Sequence, residues 1–181
     1  INQYSILRED LSSYVSTYAP NYKVRYVPAP FERPWDRMGR VHSGLVSFSK
    51  YQPEKATRYQ FPGNYVWPKS IFLLDRCFLQ MRIELSNGKD LVVINTHNSA
   101  FDDGSLRKKQ MNYIKDRIEQ EYKNGNYVIV GGDWNQTPPS ENIDAFLTEN
   151  KVAEEGRQMM PDEIISQNWQ WAYDITKSTN R

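Results

Sequence analysis

Cysteine is almost missing from this sequence: Cys77 is the single one in 181 residues, which excludes an intrachain disulfide framework and any multi-cysteine metal centre. It sits in the apolar run from Ile71 to Phe78, where a buried and unreactive thiol is expected. Histidine is nearly as scarce, with only His42 and His97. No stretch reaches the roughly 18 apolar residues of a membrane span, and no signal-peptide pattern precedes the first helix. Neither charge dominates. Lys+Arg 23 against Asp+Glu 22 leave a formal charge of +1, so the balance advertises neither a nucleic-acid binder nor a membrane-surface protein, and any attraction for phosphate has to be local. Internal repeats and low-complexity tracts are absent too. The chain starts at Ile1 rather than Met, as a processed or cut chain would, and its compartment cannot be read. Its length suits one domain over residues 1–181 with a substantial core.

What is present reads as strands with helices layered on them. Ile6, Leu7, Leu11, Tyr14, Val15 and Tyr18 have the spacing of one helix face, which predicts a helix from Tyr4 to Tyr18 ended by Pro20. Tyr22 to Val27 alternates as a strand does, and Pro28 to Pro34 reads as a loop. Gly44 to Phe48 and Ile71 to Leu85 are predicted strands, joined by an aromatic, proline-containing loop, YQFPGNYVWP at 59–68. Asn87-Gly88 predicts a type I′ hairpin turn between Leu79–Leu85 and Leu91–Asn95. The clearest helix follows, with Met111, Ile114, Ile118 and Tyr122 on one face, Asp102 and Asp103 before it, and Asn124-Gly125 closing it. Tyr127 to Val130 is a nearly unbroken apolar run, expected as a strand buried on both faces. Thr137 to Ser140 then turns the chain into a short helix through Phe146 and Leu147. The sum is an α+β sandwich.

Two strand ends carry chemistry. GGDWN at 131–135 follows the apolar run, and strand periodicity places Asp133 and Asn135 on one side with Trp134 opposite. A carboxylate there can take a proton from water or bind a hard cation, and the amide can donate to a phosphate oxygen. The alternative is an Asx-rich turn that caps the next helix. NTHN at 95–98 ends the strand LVVI in the same manner and brings His97 out beside polar partners. A lone strand-end histidine is more often structural, and GGDWN is the second feature set against that reading.

A core strand ending in NTH, a crossover helix, then a core strand ending in GDWN resembles the endonuclease/exonuclease/phosphatase superfamily. GLVSFSKY is similar to that family's strand before the central hairpin, and KKQMNYIKDRIEQ to its helix between the two motifs. The resemblance covers roughly residues 44–135. It implies a DNase I-like sandwich of two mostly antiparallel sheets with helices outside, incomplete at both termini. It also implies in-line hydrolysis of a phosphodiester or phosphomonoester by water, without a phosphoenzyme, assisted by Mg²⁺ or Mn²⁺. Asp133 would orient or deprotonate the water, Asn135 would hold the phosphate, His97 would contact the scissile phosphate, and Asp133 with Asn135 would reach the metal.

The family's amino-proximal Asn, its metal-binding Glu and its carboxy-proximal Asp-His pair have no match; Glu9 lies in the first predicted helix, and no histidine follows His97. Two readings stand: a partial domain that lacks both ends and is inactive as it is, or a degenerate binding module that keeps the fold without catalysis. Arg40 and Lys108 are the candidate substrate-binding cations, in a rim with Arg33, Arg37 and Lys109, against the alternative of a solvated charged face. His42 is a weaker candidate for the site, with a structural role as the alternative. Tyr59, Phe61, Tyr65 and Trp67 are candidates for stacking on bases or entering lipid headgroups, or for filling the core. The substrate therefore stands open between nucleic acid, a lipid headgroup and an inositol phosphate, with no obligate protein partner evident.

Overall fold

A computed structural model of the chain describes residues 2–28, 32–63, 65–100, 102–137, 159–160 and 168–172. It has two units, Ile1–Asp133 and Trp134–Arg181. The first opens with helix α1, Gln3–Asp10, whose Asn2 cap accepts from the Ser5 N–H at 3.2 Å. The predicted helix thus stops well short of Tyr18. Val15, Thr17 and Tyr18 are poor helix formers and good strand formers, and they lie at the start of strand β1, Val15–Val27, which pairs antiparallel with β2, Gly39–Ser49. Pro20 ends no helix. It lies inside β1, where the register shifts between Pro20 and Tyr22, so its missing N–H is accommodated by the irregularity.

The second sheet has the order β3-β4-β5-β6, built from Lys55–Gln60, Cys77–Glu84, Asp90–His97 and Tyr127–Asp133. Strand β3 was not expected and runs into the expected 59–68 loop at Tyr59 and Gln60, and β4 starts at Cys77 rather than Ile71, because residues 69–71 form a 3-10 turn. The β4–β5 hairpin is present, but its turn is not type I′. Only Gly88 has positive φ (75°), the Gly88 N–H donates to Leu85, and the Leu85 N–H donates to Lys89. This is a three-residue loop closed by a left-handed glycine, which suits the same Asn-Gly pair.

Alternation along β4 and β5 makes the layers. Cys77 and Leu79 meet Ala19 and Leu45 between the two sheets, and the Asn95 amide crosses to the Val46 carbonyl at 3.0 Å. On the other face Phe78 lies 5.9 Å from Tyr113 of α2, Ser105–Lys123, and Gln80 donates to Glu121 of the same helix at 3.2 Å. Phe78, Val92, Ile94, Met111 and Ile114 are at most 2 % exposed, and each such buried apolar side chain contributes about 1.5–3 kcal/mol. The predicted helix face holds at Met111 and Ile114 but not at Tyr122, which is exposed; Glu121 is buried in its place. Burial alone pushes the Glu121 carboxyl up, but the Asn126 amide, Arg82 and Arg117 hold it below the ordinary carboxylate range.

Helix α2 crosses over between the parallel strands β5 and β6. The Asp102 carboxylate starts it by accepting from the N–H groups of Gly104, Leu106 and Arg107 at 2.9–3.1 Å. Strand β6 is not buried on both faces as its sequence suggested. Among the described residues it is an edge strand, and its Tyr127 and Ile129 are 50 % and 58 % exposed.

In the second unit Thr137 bridges Met159 in parallel, the Met160 N–H donates to Thr137 at 2.9 Å, and Trp134 meets Trp171 edge-on. The predicted helix through Phe146 and Leu147 lies outside the described residues. Among the described residues no helix is long and apolar enough to cross a membrane.

Candidate active site

Parallel register sets His97 of β5 directly beside Asp133 of β6, so both side chains leave the sheet on the same face. The ring Nε2 lies 3.7 Å from Asp133 Oδ2. Gly132 allows this approach: its φ is +135°, and a Cβ there would run into the Thr96 carbonyl on β5. Beneath them the Asn98 N–H donates to the Asp133 carbonyl at 2.9 Å, and the Thr96 hydroxyl donates to the Asn98 side chain at 2.7 Å. The strand ends are therefore tied together by buried polar groups as well as by the ladder.

Two residues that sequence reading missed act on His97, Asn21 by contact and Arg76 by its charge. Asn21, 3 % exposed at the β1 irregularity, accepts from Ser43 through Oδ1 at 3.2 Å. That bond turns its amide nitrogen towards His97 Nδ1, 3.4 Å away. With Nδ1 accepting, the neutral ring carries its proton on Nε2, the nitrogen that faces Asp133. Arg76, just before β4, is 9 % exposed, and its Nη1 is buried with no hydrogen-bond partner among the described residues. Burial lowers the Arg76 pKa while the Asp133 charge opposes the fall. Burial also lowers the His97 pKa, the Arg76 charge lowers it further, and Asp133 pulls the other way. The site thus presents a neutral imidazole N–H, a carboxylate and an under-bonded guanidinium, a set able to hold a tetrahedral anion and take a proton from water. The only sequence signals for the missed pair were a Pro-Asn break in a strand and a charged residue interrupting an apolar run.

The other expected site residues are placed differently. Asn135 lies in the second unit, past the end of β6, with φ 50°, so strand alternation does not set its direction as the sequence argument assumed. Arg40 is exposed on β2, three residues before Ser43, and Lys108 is exposed on α2. Arg33 pairs with Asp36 at 3.2 Å and Arg37 donates to Tyr26 at 2.9 Å, so neither is an uncommitted phosphate cation. Arg107 is buried against Asp102 at 2.6 Å. His42 packs edge-on against Tyr18, 5.6 Å between centroids. Of the aromatics, Tyr59 stacks on Phe78 and the buried Phe61 meets it with tilted rings, whereas Trp67 is exposed. Cys77 is buried, and burial pushes its thiol pKa up, as expected for an unreactive cysteine.

A hard divalent cation needs several oxygen ligands, some of them anionic. Among the described residues no group of three or more His, Cys, Asp or Glu is close enough to hold a metal. Asp133 offers one anionic oxygen and His97 one ring nitrogen, so a divalent ion there would need further oxygen donors.

Two facing sheets and a βαβ crossover, with a His and an Asp at adjacent strand ends, make a DNase I-like fold. Among solved structures the chain is similar to the catalytic domain of human Nocturnin, with TM-score 0.52 and 15% identity over 89% of this chain and 59% of that one. It is also similar to truncated Caenorhabditis elegans TDP2, with TM-score 0.50 and 14% identity over 90% and 50%. An endonuclease/exonuclease/phosphatase protein of Beutenbergia cavernae DSM 12333 gives TM-score 0.50 and 20% identity over 81% and 39%. These likenesses show the fold, and the chain spans between two-fifths and three-fifths of those chains. No protein-family model and no curated protein matches the sequence.

Proposed function

We propose that this chain carries the phosphate-facing part of a phosphate-ester hydrolase in which water attacks phosphorus in line. The observation that supports it most is the His97–Asp133 pair at 3.7 Å with the under-bonded Arg76 beside it. In this reading Asp133 accepts a proton as the water oxygen bonds to phosphorus. The Nε2–H of His97 and the guanidinium of Arg76 donate to non-bridging oxygens, where charge grows in the transition state. The P–O bond to the leaving group breaks on the opposite side, and the leaving oxygen is protonated by solvent. Asn135, Arg40 and Lys108 enter from the sequence alone, as further phosphate contacts. Dependence on Mg²⁺ or Mn²⁺ belongs to the same proposal and rests on the family resemblance.

The test is hydrolysis of bis(4-nitrophenyl) phosphate with and without Mg²⁺. Asp133→Ala is expected to lower turnover by about 10²–10⁴-fold, the range lost with a general base. Undiminished turnover in that variant removes Asp133 from the chemistry. Phosphate binding without turnover in the full-length protein favours the non-catalytic module instead.

A further inference from the structure

The β1–β2 hairpin turns a second face away from the site. Ser43 and Asn21 point inward to His97, so alternation along β2 directs His42 and Arg40 outward. Register sets Lys23 opposite His42, and the irregularity between Val24 and Val27 sets Arg25 and Tyr26 against Arg40. Helix α1 covers the start of this outer face, where Tyr4 stacks on Tyr18 at 5.3 Å and Tyr18 meets His42. Beyond His42 the side chains of Lys23, Arg25, Tyr26 and Arg40 are exposed. Among the described residues none of Lys23, Arg25 and Arg40 has an acidic partner. Like charges placed opposite one another on a sheet repel, and no described acid offsets them here. The imbalance is local. Residues 22–42 hold five Lys and Arg against Glu32 and Asp36, in a chain whose formal charge is +1, and Asp36 is taken by Arg33.

The end of the hairpin is apolar. Trp35, in the 3-10 turn Pro34–Asp36, is 83 % exposed, and Met38 and Tyr26 are exposed at the same end. We infer that this hairpin docks on an anionic lipid bilayer, its tip entering the headgroup region and its cations lying along the surface. Trp and Tyr favour the boundary between bilayer and water, and a row of cations complements an anionic leaflet. A single-stranded nucleic acid asks instead for aromatic faces interleaved with the cations, one for each successive base. Here the cations run along the strands while Trp35 and Met38 lie beyond their end, Tyr26 is tied to Arg37 at 2.9 Å, and Met38 offers no ring. Asn21, and with it His97, lies on the opposite face, so docking leaves the site open. The inference does not rest on the hydrolase reading, and it takes Arg40 from the phosphate contacts named there.

The test is co-sedimentation of the full chain with vesicles of equal parts phosphatidylglycerol and phosphatidylcholine, against vesicles of phosphatidylcholine alone. Binding to the anionic vesicles is expected to be roughly 100-fold tighter, at about fivefold for each of three cations near an anionic leaflet, and to weaken as salt is raised. Arg25→Glu reverses one of those charges and should weaken binding about 25-fold. Trp35→Ser should weaken it about tenfold by removing the apolar body that enters the headgroups, and it serves if Arg25→Glu does not fold. Equal binding to the two vesicle types, binding to neither, or unchanged affinity in a folded variant overturns the inference. An oligothymidylate that binds more tightly than the anionic vesicles, and loses that affinity in Arg25→Glu, makes the face a nucleic-acid surface and overturns it as well.

Discussion

His97 is held by three neighbours whose effects have opposite signs, and its titration reads them separately. Burial and Arg76 hold its pKa below the ordinary value, with Asp133 opposing. Its titration, followed by NMR, should therefore have a midpoint below about 6.5. Arg76→Met is expected to raise that midpoint, and Asp133→Asn to lower it further; a midpoint above 6.5 in the unmodified chain refutes the buried pair. The unfolded ring titrates near 6.5, so the unfolded state binds more protons between that value and the lower folded one. The contribution of His97 to stability is therefore intact above about pH 6.5 and is lost as pH falls through the folded value. Gly132 is the second residue-scale test. Its φ of +135° and the Thr96 carbonyl leave no place for a methyl group, so Gly132→Ala should cost about 1–3 kcal/mol in denaturant unfolding. Unaltered stability would mean that β5 and β6 are less closely tied than their register shows.

At the scale of elements, α2 is fixed at both ends by acids, in different ways. Asp102 caps its start through three backbone N–H groups, and Glu121 near its end is buried among Gln80, Arg82, Arg117 and Asn126. Glu121→Ala removes the carboxylate shared by Arg82 and Arg117, which keep Asp90 and Gln80 as partners, and is expected to lower stability by about 1–3 kcal/mol. A loss below 1 kcal/mol would show that the cluster relaxes into water. Because the Glu121 pKa is held below its ordinary value, its contribution is present above that value and vanishes as pH falls through the folded one. The same helix was read correctly in extent from its caps, whereas its buried face was misread. Periodicity marks apolar positions, but it cannot announce that a carboxylate will be buried by partners on β4.

Across the first unit, side chains of the second sheet bond to the backbone of the first: Arg58 donates to the Pro20 carbonyl, and Asn95 bonds at the middle of β2. Asn95 donates to the Val46 carbonyl at 3.0 Å and to Ser47 at 3.2 Å. Asn95→Ala leaves those acceptors without their partner and should lower stability by about 1–3 kcal/mol, seen as a fall in midpoint denaturant concentration. No change in that midpoint would mean that the apolar contact of Ala19, Leu45, Cys77 and Leu79, with the Arg58 bond to Pro20, holds the sheets without Asn95.

The sequence by itself determined the elements whose signals are local. The NTH and GGD strand ends, the Asn-Gly hairpin, the capped crossover helix and the sandwich class were all legible, since turn chemistry and strand or helix period act over a few residues. Tertiary structure alone decided the rest. Val15 to Tyr18 satisfied a helix spacing until pairing with β2 claimed it as strand. Tyr127 to Val130 read as doubly buried, yet among the described residues it forms an edge, because burial depends on what covers a strand and not on its own composition. Asn21 and Arg76 reached His97 only through the folding of β1 and β4 onto β5, which joins residues 76 and 21 positions away in the chain. A site made of such contacts leaves no periodic trace, since the distances that create it run through space and not along the sequence.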